Sequence, residues 1–86
     1  MRTVWKVELE AHTTSIDLVE GIKPLCVQIQ NKIPCLWVEV DNEKPNREYQ
    51  IVIIGTGHPI PPGHWTYIGT FQIIINGLVF HVYMEI

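Results

Sequence analysis

At 86 residues the chain has room for one domain, residues 1–86, and it buries only about 60 % of the surface its unfolded form exposes. With 47 % hydrophobic and 17 % charged residues it is a folding sequence, not a disordered one. The net charge is −3, and Arg2, Lys6, Lys23, Lys32, Lys44 and Arg47 are scattered, which excludes the basic track that a nucleic-acid backbone requires.

Along the chain, Val4–Glu10 alternates Trp5, Val7 and Leu9 against Lys6, Glu8 and Glu10, the period of a half-buried strand. Ala11–Gly21 is ambiguous, and Ser15–Glu20 reads either as a short strand or as an irregular connection. Leu25–Gln30 and Pro34–Asp41 are strands joined by a tight turn at Asn31-Lys32. A two-residue turn there sets Gln30 opposite Ile33, Gln28 opposite Cys35 and Cys26 opposite Trp37. Leu25, Val27, Ile29, Leu36, Val38 and Val40 then form one apolar face. Asp41–Arg47 is a polar loop, Glu48–Ile54 a strand rich in Ile and Val, and Gly55–Gly63 a stiff connection holding three prolines and three glycines.

The last third reads as a β-hairpin, Ile68–Ile75 and Leu78–Ile86 flanking Asn76-Gly77. Asn-Gly is the strongest short hairpin signal, because a type I′ turn needs positive φ at both central positions. That turn places Thr70 opposite Tyr83, Gln72 opposite His81 and Ile74 opposite Val79. Phe71, Ile73, Ile75, Leu78, Phe80, Val82 and Met84 become the core face. No segment carries helical periodicity. The expectation is an all-β fold, a small antiparallel β-sandwich or barrel of about six strands.

Both hairpins pair a clean core side with a second side that mixes Trp, Tyr, His, Gln, Thr and Cys. A solvent face of an antiparallel sheet is normally dominated by charged and small polar residues. A face this apolar and aromatic is expected to meet a ligand, a loop or another subunit.

No signal peptide is expected, since strand-like sequence follows Met1-Arg2 at once, and no apolar run approaches the ~20 residues of a membrane-spanning helix. A cytoplasmic protein with no membrane association is expected. Cys26 and Cys35 share a face diagonally, at roughly 7–8 Å, which is long for a disulfide, and are read as reduced thiols. Trp5 shares the parity of Val7 and Leu9 and reads as core.

The segment Gly55-Thr56-Gly57-His58-Pro59 draws the functional reading. Its glycines let backbone N–H groups approach a ligand, and Thr56 and His58 add hydrogen-bonding groups. It lacks the Gly-Lys-Ser/Thr of a phosphate-binding P-loop. Against the ligand reading stands the plainer one, a strand end followed by a rigid connection. His12, His58, His64 and His81 show no metal-ligand spacing, and no metal or cofactor is expected. Ser15 is the only serine and has no motif around it. No carbonyl-attacking group has a base beside it, so no enzyme is expected. Trp37, Tyr67 and the closing Trp65 are candidates for stacking on a flat ligand or for anchoring a subunit interface.

Val4-Trp5-Lys6, Val27-Gln28-Ile29-Gln30, Ile33-Pro34-Cys35-Leu36-Trp37, Gly55-Thr56-Gly57-His58-Pro59-Ile60, Tyr67-Ile68-Gly69-Thr70-Phe71 and Leu78-Val79-Phe80-His81-Val82 together resemble a family of small β proteins encoded by bacteriophages. The resemblance covers nearly the whole chain. It implies action on host machinery, and one class of such proteins sequesters nucleotide signals of bacterial immunity as homo-oligomers with pockets between subunits. The expectation is a non-enzymatic homo-oligomer, by default a dimer. It would hold a small polar or nucleotide-like ligand through Trp37, Thr56, Gly57, His58, Tyr67, Thr70 and His81. The alternative is a protein–protein module that docks on a host protein, or only on its own copies.

Overall fold

Seven strands build two antiparallel sheets in the computed structural model, which describes residues 1–86. They are β1 (Arg2–Glu8), β2 (Ser15–Val19), β3 (Lys23–Gln30), β4 (Ile33–Asp41), β5 (Asn46–Gly55), β6 (Thr66–Gln72) and β7 (Val79–Met84). One sheet has the order β1-β4-β3 and the other β2-β5-β7-β6. The two pack face to face as a sandwich. No helix is long and apolar enough to cross a membrane.

The β3–β4 turn is the expected one. Asn31 and Lys32 both have positive φ, 52° and 69°, the type I′ arrangement, and the pairs Gln30–Ile33, Gln28–Cys35 and Cys26–Trp37 follow from it. Val27, Leu36, Val38 and Val40 face the core. Leu25 does not. A bulge between Pro24 and Cys26 inserts it as the unpaired residue, and it is exposed. Trp5 points to the core side opposite Val38, but β1 is an edge strand and the ring sits 37 % exposed at the border of the sheet. Both cysteines are free thiols. Cys35 is buried, its thiol 3.4 Å from the Ile33 carbonyl, and Lys6 on β1 donates to the Gln30 side-chain carbonyl on β3 at 2.8 Å.

The second hairpin departs from expectation at its turn. Asn76 is not in the positive-φ region. Only Gly77 is, at 71°. Ile73 donates to the Leu78 carbonyl and Gly77 to the Ile73 carbonyl, both at 2.8 Å, so the connection is the four residues Ile74–Gly77 with glycine in the left-handed position. Thr70 therefore pairs with His81 and Gln72 with Val79. The register slides by two residues, which preserves the faces. Phe71, Val82 and Met84 are buried as expected, while Ile75 and Leu78 leave the core for the exposed loop.

Ser15–Val19 resolves as a strand pairing with β5. It brings Ile16 and Leu18 to the core beside Tyr49, whose hydroxyl donates to the Val19 carbonyl at 2.8 Å. The Arg47 guanidinium lies 4.7 Å from the Tyr49 ring centroid. Tyr49→Phe removes the only side-chain donor on that carbonyl and is expected to cost about 1–2 kcal/mol, read from the urea midpoint of the variant against the parent. An unchanged midpoint would show that water replaces the bond.

Candidate functional site

The outer face of the four-stranded sheet carries a run of hydrogen-bonded side chains. Antiparallel pairing sets Ile54 of β5, His81 of β7 and Thr70 of β6 in one row. His81 Nδ1 lies 3.0 Å from Thr70 Oγ1, and His81 Nε2 lies 2.8 Å from Thr56 Oγ1, just beyond the end of β5. Thr70 Oγ1 is 2.5 Å from the Tyr67 hydroxyl. Thr56 Oγ1 also reaches the Val79 carbonyl at 3.4 Å.

The Val79 carbonyl at the end of the run only accepts, so the Thr56 hydroxyl donates to it. The Thr56–His81, His81–Thr70 and Thr70–Tyr67 contacts join groups that each both donate and accept, and the His81 tautomer sets the direction along them.

Apolar surface surrounds this polar line. Tyr67, 55 % exposed, meets Tyr83 edge to face with ring centroids 5.6 Å apart and planes at 68°. Ile54, beside His81, is buried although it lies on the outer face. A cleft of 380 Å³ adjoins the line at the end of β5, lined by Gly55, Thr56, His58, Gly77, Leu78, Val79 and Phe80. His58 closes a turn by donating its N–H to the Gly55 carbonyl at 3.0 Å, and its imidazole lies against Gly55 beside Phe80. The Gly57 N–H between Thr56 and His58 makes no hydrogen bond within the chain. The remainder of this connection is braced by Trp65, whose Nε1–H donates to the Pro61 carbonyl at 2.9 Å.

The structure therefore joins Thr56, Tyr67, Thr70 and His81 by hydrogen bonds, from the turn after β5, β6 and β7, while Gly57 and His58 follow Thr56 in that turn and the His58 ring lies on the Phe80 side of the sheet rather than on the His81 side. Trp37 is not among them. It lies on the outer face of the other sheet, between Lys6 and Cys26, on the opposite side of the sandwich. Parity along β4 correctly puts Trp37 on a second face, but the two second faces belong to different sheets. The cross-strand neighbour of His81 also differs from expectation: it is Thr70, not Gln72, and the His81 ring bonds Thr70 and Thr56. Tyr83, expected on this face opposite Thr70, instead pairs with Tyr67, and the Val79 carbonyl joins the site through Thr56, unannounced by any motif.

No group of three or more His, Cys, Asp or Glu side chains comes together to hold a metal ion. His81 has a hydroxyl on each ring nitrogen and no carboxylate hydrogen-bonded to it. The one carboxyl held below its ordinary range is Asp41, chiefly because the Glu43 N–H donates to it, and it sits at the far end of β4.

Among known protein families, a domain of unknown function (DUF7352) matches the chain over residues 1–86. No curated protein and no solved structure matches it.

Proposed function

The chain belongs to the DUF7352 family, and for it we propose a non-enzymatic binding role: sequestration of a small polar or nucleotide-like ligand on the outer face of the four-stranded sheet. The observation that carries the reading is the hydrogen-bonded run from Val79 through Thr56, His81 and Thr70 to the exposed Tyr67, with a cleft of 380 Å³ at its Thr56 end. Tyr67 offers a ring face for a base, in the way exposed aromatics bind unpaired bases. Thr70 and the Tyr67 hydroxyl meet its polar edge. The unpaired Gly57 N–H and the His58 ring meet phosphate or ribose oxygens from the turn side. No lysine or arginine lines the cleft, which fits a ligand of few charges held by neutral donors. In a phage-encoded protein this role would be that of a sponge for a host defence signal, acting from the cytoplasm as a homo-oligomer.

A panel of mononucleotides and cyclic dinucleotides, followed by thermal shift, tests the reading. One member is expected to raise the melting temperature by several degrees. His81→Ala breaks the run at its centre and is expected to abolish that shift, with the ligand-free melting temperature changed by a few degrees at most. His58→Ala is expected to weaken it. No response to any nucleotide in the panel overturns the nucleotide reading. Recovery of chemically intact ligand after heat denaturation separates sequestration from turnover.

A further inference from the structure

We propose that two copies of the chain pair through the open end of the sandwich, each seating the Ile74–Ile75 tip of its β6–β7 loop in the cleft of the other. Ile74 and Ile75 are 88 % and 92 % exposed. Loop tips favour Gly, Pro, Asn, Asp and Ser, so two consecutive bare isoleucines there have no local rationale. Beside the tip the sheets splay into a cleft of 570 Å³, with Leu9, Phe71 and Phe80 inside and Ile33, Pro34 and Leu78 at its walls. A second hollow of 240 Å³ joins Ile74 and Ile75 to Ile29 and Lys32 across the β3–β4 turn.

A convex apolar feature and a concave one therefore lie side by side on one end. That is the requirement of a two-fold pair, whose patch must be complementary to itself and whose every contact is made twice. The charges at the rim have the same property. Glu8 and Glu10 border the cleft from the β1 side and Lys32 borders it from the turn. A two-fold axis between tip and cleft brings Lys32 of each copy toward the carboxylates of the other. A small apolar ligand would fill the cleft and leave the tip bare. An anionic membrane would face two carboxylates for one ammonium. A second copy covers both apolar features and pairs the rim. This end also borders the Thr56–His58 cleft through Gly77, Leu78 and Phe80, so pairing would set the proposed ligand site at a subunit boundary. The pairing itself does not depend on that ligand.

Sedimentation equilibrium of the whole chain over low to high micromolar concentrations provides the test. The parent is expected at twice the chain mass of 9.9 kDa. Ile75→Glu is expected to sediment as a monomer, with association weakened at least about 100-fold. Its circular dichroism and urea midpoint stay those of the parent at monomeric concentrations, because the side chain it replaces is exposed. Lys32→Glu is expected to weaken association about tenfold, and adding Glu10→Lys to restore it. A parent that stays monomeric throughout, or a dimer that survives Ile75→Glu, overturns the proposal. A monomeric parent that binds neutral phosphatidylcholine vesicles and loses that binding in Ile75→Glu overturns it in favour of a membrane surface.

Discussion

Gly69→Ala is expected to lower the unfolding free energy by about 2–3 kcal/mol, a large loss for a chain this short. The two sheets touch where β3 lies against β6. A Cβ on Gly69 would sit 2.9 Å from both Cβ and Cγ2 of Val27 and 3.2 Å from its backbone nitrogen. Two of those three atoms belong to the rigid part of the residue, so no rotamer change relieves the clash. The bulge between Tyr67 and Gly69 delivers this glycine to the contact, and Val27 itself is a core residue. Relief requires the sheets to move apart, which loosens every contact between them. A double-mutant cycle makes the cause explicit. In a Val27→Gly background, Gly69→Ala should cost clearly less than in the parent. Additive losses in the urea midpoints would place the damage somewhere other than the β3–β6 contact.

Leu36→Ala is expected to cost about 3–4 kcal/mol, enough to leave much of the chain unfolded at 37 °C if the parent sits at the lower end of ordinary stability. Leu36 is 0 % exposed and lies at the middle of the central strand of its sheet, with Val7 beside it on β1 and Val27 on β3. A strand held on both sides cannot collapse into the void an alanine leaves, so the lost transfer free energy and the cavity both count. Leu36→Met, which keeps the volume, should cost less than about 1.5 kcal/mol. Equal losses from the two variants would mean that the site is set by shape and not by volume.

The contrast between the two hairpins shows what can be read from a sequence of this kind. Asn31-Lys32 joins two strands whose apolar alternation begins directly on either side, so turn and register agree. Asn76-Gly77 has the stronger local signal and the weaker outcome. Ile73, Ile74 and Ile75 carry no alternation to pin the strand end, and the register is set elsewhere, by β7 pairing with β5 and β6 together. A slide of two residues leaves parity intact. For that reason Thr70, His81 and Tyr83 are legible as one face while their cross-strand partners are not, and Tyr67, of opposite parity to Thr70, joins that face only through the bulge between Tyr67 and Gly69. The same slide put Ile75 and Leu78 outside, on the end now proposed for pairing. Leu25 was lost to a bulge and Trp5 to the edge position of β1, and neither is encoded in a local pattern. Trp37 marks a different boundary. Alternation assigns a residue to a face of its own strand, and only the strand order tells which sheet that face belongs to.

Native mass spectrometry of the parent and of His81→Ala, each incubated with small-molecule extract from phage-infected bacteria, tests the binding face most directly. The parent should gain a discrete small mass that His81→Ala does not gain. An extract that adds nothing to the parent, or adds the same mass equally to both, would contradict a binding site built on the Thr56–His81–Thr70–Tyr67 run.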